Sequence, residues 1–181
     1  MLEITVPLTR EGWDEVKQEF VEPKVQILKL EHSLVSLSKW ESKWCKPFLS
    51  TAEKTAEETL DYIKFMTLTQ NVKPEVYDHL TVDNIRRINE YISAPMTATT
   101  IKKDKKSKKN DRVITSELIY YWMFSFGINM ECQKWHLNRL LMLIRVFDEE
   151  SKPKQERSQD DIRADYAALN AARRKALNSK G

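Results

Sequence analysis

His32-Ser33-Leu34-Val35-Ser36-Leu37-Ser38-Lys39-Trp40-Glu41-Ser42-Lys43-Trp44-Cys45-Lys46-Pro47 sets the architecture of the chain. Leu34, Leu37, Trp40 and Trp44 follow three- and four-residue steps, the period of one face of an α-helix. Pro47 ends the run, because proline lacks a backbone N–H and crowds the preceding turn. Upstream the period is different. Leu2, Ile4 and Val6 alternate with polar neighbours up to Pro7, and Val25-Gln26-Ile27-Leu28-Lys29-Leu30 follows Pro23 as a second strand. The two are expected to pair as a small ribbon that needs something to pack on, since a lone hairpin is marginal in water. Residues 8–22 show no decisive pattern.

Downstream the helical period persists. Ser50-Thr51-Ala52-Glu53 matches a capping box, in which serine and glutamate satisfy each other's backbone donors at a helix start. The helix it opens carries Ala56, Leu60, Ile63 and Met66 on one face, with Glu57, Glu58 and Asp61 mostly elsewhere. Pro74 suits the first turn of a short helix through Leu80. Thr81 can cap the next, whose stripe is Ile85, Ile88, Tyr91 and Ile92, stopping before Pro95. Residues 96–112 read as a loop, Lys-rich over 100–112. Leu118-Ile119-Tyr120-Tyr121-Trp122-Met123-Phe124-Ser125-Phe126 is apolar almost all round, so its helix belongs in a core or against a partner. Gly127 stops it and Asn129 can cap a helix bearing Trp135, Leu140, Leu143, Ile144 and Phe147. Arg139 and Arg145 remain for solvent or a partner.

After Phe147 the composition shifts. Asp148 to Gln159 is charged and holds Pro153, and Ser158-Gln159-Asp160-Asp161 offers a cap for a last helix. That helix places Ile162, Tyr166, Leu169 and Ala176 on one side, with Arg173, Arg174 and Lys175 near its end. The expected organisation is a mainly α protein. Residues 1–147 form a helical core with a small N-terminal β ribbon, and residues 148–181 form a charged linker and a C-terminal amphipathic helical arm.

Composition agrees with helix. Three glycines in 181 residues are too few for a fold that relies on phosphate loops or many tight turns. Hydrophobic residues make up 41% and charged residues 31%, the balance of a globular chain rich in surface charge. No apolar run approaches the roughly 20 residues that span a bilayer, and residues 1–7 lack the basic start of a secretory signal. Cys45 and Cys132 form no CxxC pair and are expected to stay reduced, which points to a cytoplasmic protein with no membrane association.

Chemistry is sparse. Cys132 and His136 stand four apart on an expected helix, yet two ligands are not a zinc site, so core packing is the favoured reading. Neither cysteine has a base placed beside it by sequence. Glu53, Glu57, Glu58 and Asp61 read as a solvated face with favourable N-terminal charge rather than as an acid/base pair. No Walker loop, GxGxxG, GxSxG or HExxH occurs, so neither enzyme activity nor a cofactor is expected. The net charge of +3 is concentrated: Lys102 to Arg112 holds seven basic residues against Asp104 and Asp111. Lys102, Lys103, Lys105, Lys106, Lys108 and Lys109 are the phosphate-contacting candidates, but they lack interleaved aromatics, and a solvated loop is the favoured reading. Tyr120, Tyr121, Trp122, Trp135, Arg139, Ile162, Tyr166 and Leu169 are the candidates for contact with a protein partner.

Several stretches form a recognisable set: Leu30–Ser42, Lys46-Pro47-Phe48-Leu49, Met96-Thr97-Ala98-Thr99, Ile119–Met123, Glu131–Leu140 and Ala168–Arg173. The Trp135-His136-Leu137-Asn138-Arg139-Leu140 block is the most distinctive. The set, which spans nearly the whole chain, resembles small proteins encoded in the tail-gene cluster of long-tailed bacteriophages. The resemblance implies a tail assembly chaperone, acting in the host bacterial cytoplasm. Its partners would be the tape-measure protein and tail-tube subunits, and many such proteins also have a longer frameshifted form. The chain departs from the set at its lysine run and after Phe147, where a Cys-containing, proline-rich stretch is expected and Asp148-Glu149-Glu150-Ser151-Lys152-Pro153 stands instead. The alternatives are a virion structural protein, such as a head–tail connector or tail completion factor, and then a nucleic-acid-associated protein. Self-association is a further expectation.

Overall fold

A computed structural model describes residues 1–9, 12–14, 19–21, 24–101, 113–152 and 159–177. The chain is mainly helical, with an antiparallel ribbon at its N-terminus. It divides into two units, Met1–Phe147 and Asp148–Gly181.

In the first unit, strands β1 (Leu2–Pro7) and β4 (Val25–Leu30) pair antiparallel in the register Leu2↔Leu30 and Ile4↔Leu28. Between them β2 (Gly12–Asp14) and β3 (Glu19–Val21) pair as a second antiparallel sheet, in the stretch where sequence showed no pattern. The alternation of β1 and β4 puts Ile4, Val6, Leu28 and Leu30 on one buried face. Helices α1 (Leu34–Trp44), α2 (Ala56–Met66) and α3 (Val82–Ser93), with the 3-10 helix Pro74–His79, cover that face through Trp40, Tyr62, Ile63, Met66, Val76, Tyr77 and Ile88. The ribbon's backbone is tied at its sides. The Asn84 amide donates to Thr5 O at 3.2 Å, Arg87 donates to Glu3 O at 3.0 Å, and Leu68 N–H donates to Lys29 O at 2.7 Å.

A second core also builds on α1. Leu34 and Leu37 pack with Ile119 and Met123 of α4 (Ser116–Ser125), with Ile128 and Cys132, and with Leu137, Leu140 and Ile144 of α5 (Leu137–Ser151). Helix α1 therefore serves both cores, Trp40 facing the first and Leu34 and Leu37 the second. The buried Glu41 carboxylate ties the parts together. One oxygen accepts the Phe48 N–H at 2.8 Å and the other accepts the Ser116 N–H at 2.7 Å, at the start of α4.

Two expectations need correction. The capping box of α2 is Thr55 with Glu58, not Ser50 with Glu53. Glu58 and Asp61 are buried rather than part of a solvated face, because α2 packs against α1. Their charges are met by lysines reaching in from the surface, Lys46 to Glu58 at 2.6 Å and Lys43 and Lys64 to Asp61. The Lys46 hydrogen bond holds the Glu58 carboxyl below its ordinary range. Burial pushes Asp61 upward, but Lys43 and Lys64 outweigh it and leave a net depression.

In the second unit, α6 (Gln159–Ala176) is a single helix whose described side chains are exposed. Among the described residues no helix is long and apolar enough to cross a membrane.

Candidate functional site

Helix α4 does not bury its whole circumference. Ile119 and Met123 face the second core, Trp122 is half-buried against it, and Leu118 is buried beside them in sequence. Tyr120 is half-buried too, its hydroxyl donating to Gln133 Oε1 at 3.0 Å. Tyr121 is 64% exposed and Phe124 68% exposed, three residues apart on the helix's outer side. Of the three aromatics expected to meet a partner here, the structure thus leaves Tyr121 outward and draws Tyr120 and Trp122 toward the core. Phe124 was missed by sequence. Its offset from Ile119 and Met123 is the signal that could have found it. Beside Tyr121, a cavity of about 450 Å³ is lined by Thr115, Glu117 and Leu118.

Trp135 and Arg139 are brought together. The Arg139 guanidinium lies 4.2 Å from the Trp135 ring centroid, a cation–π contact. The pair borders an open groove of about 470 Å³ between Met96–Thr99 and one face of α5, which supplies Met142, Leu143 and Val146. The backbone of this loop is shaped locally: Met96 sits in the left-handed region (φ 49°), and Thr97 Oγ1 accepts the Thr99 N–H at 3.1 Å. Two stretches singled out by the resemblance, Met96–Thr99 and Glu131–Leu140, thus line one groove.

Tyr166 and Leu169, on α6, are 63% and 46% exposed. The Ile162 side chain and the six lysines Lys102, Lys103, Lys105, Lys106, Lys108 and Lys109 lie outside the described residues.

The expected shared helix for Cys132 and His136 does not form. Cys132 lies in a 3-10 helix, Met130–Lys134, capped by Asn129. His136 precedes α5 and forms a β-bridge with Ser33, while Leu137 N–H donates to His32 O at 2.7 Å. This cross-link between distant parts of the chain delays the helix start. The two imidazoles are buried with ring centroids 5.0 Å apart, in a T-shaped contact. His32 Nδ1 pairs with the Tyr62 hydroxyl at 2.5 Å, and His136 Nε2 donates to Tyr91 O at 3.0 Å. The Tyr91 hydroxyl in turn donates to Glu31 Oε1 at 2.7 Å. Burial, then the neighbouring His136, pushes the His32 pKa down to about 3. Burial also lowers that of His136, against its hydrogen bond to Tyr91 O. Both rings are therefore neutral packing groups, each with a named partner. Among the described residues no group of three or more His, Cys, Asp and Glu side chains is placed to hold a metal ion.

Compared with protein-family models, with curated proteins and with solved structures, the chain finds no match in any of the three.

Proposed function

We propose that the protein is a bacteriophage tail assembly chaperone, a non-enzymatic binder of the tape-measure protein that helps recruit tail-tube subunits in the host cytoplasm. The observation that carries this reading is exposed apolar surface on two helices. Tyr121 and Phe124 on α4, and Tyr166 and Leu169 on α6, are large side chains left in water at helical spacing. Clustered exposed apolar residues mark surfaces that meet another macromolecule. A tape-measure protein is expected to be a long helical rod with apolar faces, and helix-on-helix packing is the mode that fits such faces. The sequence blocks that resemble tail-cluster proteins supply the biological setting.

Coexpression with the tape-measure protein of the same gene cluster tests the reading. The expected result is a soluble complex in place of aggregated tape measure, together with absence of the chain from purified virions. Recovery of the chain at fixed stoichiometry in mature particles would instead make it a connector or completion factor.

A further inference from the structure

The groove between Met96–Thr99 and α5 carries a proposal about the chemistry of what binds, deepening the chaperone reading on which its biological setting rests. We infer that this groove is a docking site for an acidic amphipathic helix, whose apolar ridge lies along α5 and whose carboxylate pairs with Arg139.

The apolar part follows from spacing. Arg139, Met142, Leu143 and Val146 stand at i, i+3, i+4 and i+7, one continuous face of α5. Met96 and Ala98 form the opposite wall. A trough with one helical wall matches the ridge that another helix presents at the same spacing. Its volume, about 470 Å³, falls in the range of functional clefts, roughly 300–1,000 Å³.

The acidic part follows from charge. Arg139 is exposed, and its interaction among the described residues is the contact with Trp135, with no carboxylate paired to it. A guanidinium held flat against an indole is fixed in orientation while its N–H edge stays free for a carboxylate. Past Thr99 the chain leads within a few residues into Lys102–Arg112, with a local excess of five positive charges. Both features favour an anionic partner.

Single-stranded nucleic acid is the competing anion. It is held on successive aromatic faces, whereas here one face of the single indole is covered by Arg139 and most of the remaining lining is aliphatic or thioether. The lining favours a peptide.

The test is selection from a displayed library of helical peptides against the full chain, followed by titration of the enriched peptide. Enriched binders should carry apolar residues at i, i+3 or i+4, and i+7, with Asp or Glu on the adjoining flank. Arg139→Glu, at an exposed position, should weaken the selected peptide at least ~10-fold. Exchanging the peptide's acidic residue for lysine should restore binding to that variant. An empty selection, binders without acidic residues, or binders indifferent to Arg139→Glu would overturn the proposal. So would an oligothymidylate probe that binds and loses its affinity in Arg139→Glu. These outcomes concern the groove alone, while virion composition and tape-measure solubility decide the chaperone reading.

Discussion

Glu41 holds two backbone N–H groups that neither helix nor strand satisfies, those of Phe48 and Ser116. Hydrogen bonds to a charged acceptor contribute more than neutral ones, and stranding the donors adds a desolvation cost. Glu41→Ala is expected to cost about 3 kcal/mol, and Glu41→Gln about half of that because one acceptor remains. Urea midpoints measure both, and an alanine variant as stable as the parent would remove Glu41 from the account. His32 makes a prediction about pH. Its folded pKa, about 3, lies below the unfolded 6.5, so the unfolded chain takes up protons that the folded chain refuses. Its contribution is intact above pH 6.5 and declines as pH falls toward 3. At pH 5 the loss from this residue is about 2 kcal/mol, and the depressed His136 adds to it. Glu58 and Asp61, with depressed values, lose their contribution only at still lower pH. Unfolding at pH 7 and pH 5 should show this decline, with a shallower slope in His32→Gln. Cys45 ends α1 in the left-handed region at φ 50°, which costs a side-chain-bearing residue about 1–2 kcal/mol. Cys45→Gly relieves that strain against a smaller unfolded-state penalty, for a net gain of about 0.5 kcal/mol in a thermal melt.

At the level of elements, α4 offers the cleanest separation of binding from folding. Tyr121→Asp with Phe124→Asp alters only the outward side, so stability should stay within about 1 kcal/mol of the parent. Tape-measure binding should fall, and unchanged binding would move the interface off α4. Strands β1 and β4 and helices α1 and α3 were legible in the sequence because their apolar periods are carried by the residues that do the packing: Ile4 and Leu28, Leu34 and Leu37, Ile88. Strands β2 and β3 were not, since residues 8–22 carry no such period. The misreadings share a cause. The capping-box template occurs at Ser50–Glu53 and again at Thr55–Glu58, and sequence spacing cannot choose between them. The choice goes with contacts from α1 and the loop after it, where Trp40 Nε1 donates to Glu58 O at 2.7 Å and Lys46 reaches the Glu58 carboxylate. The start of α5 was misplaced because His136 bridges Ser33, far away in the chain. The groove itself joins Met96–Thr99 to α5, and no local window of sequence holds both walls.

For the molecule as a whole, the division at Phe147 and Asp148 predicts independent behaviour of the two units. An isolated helix is marginal in water, and α6 leaves its described side chains exposed. Hydrogen exchange of the free protein should be slow in α1 and fast in α6, with α6 becoming protected once tape-measure protein is bound. Slow exchange of α6 in the free chain would contradict the role assigned to it. Removing residues 158–181 should leave the first unit folded and tail formation lost. The double duty of α1 also sets an order of events on the ribosome. Every apolar residue of the first core has been synthesised by Ile92, whereas the second core waits for Ile144. At about 5–20 residues per second, that gap lasts roughly 3–10 s. For its first half the nascent chain holds Leu34 and Leu37 without most of their partners, which begin only at Ile114. A translational pause in this interval would lengthen the exposure of a sticky stripe, and a truncated product ending before Ile114 should precipitate although its first core is complete.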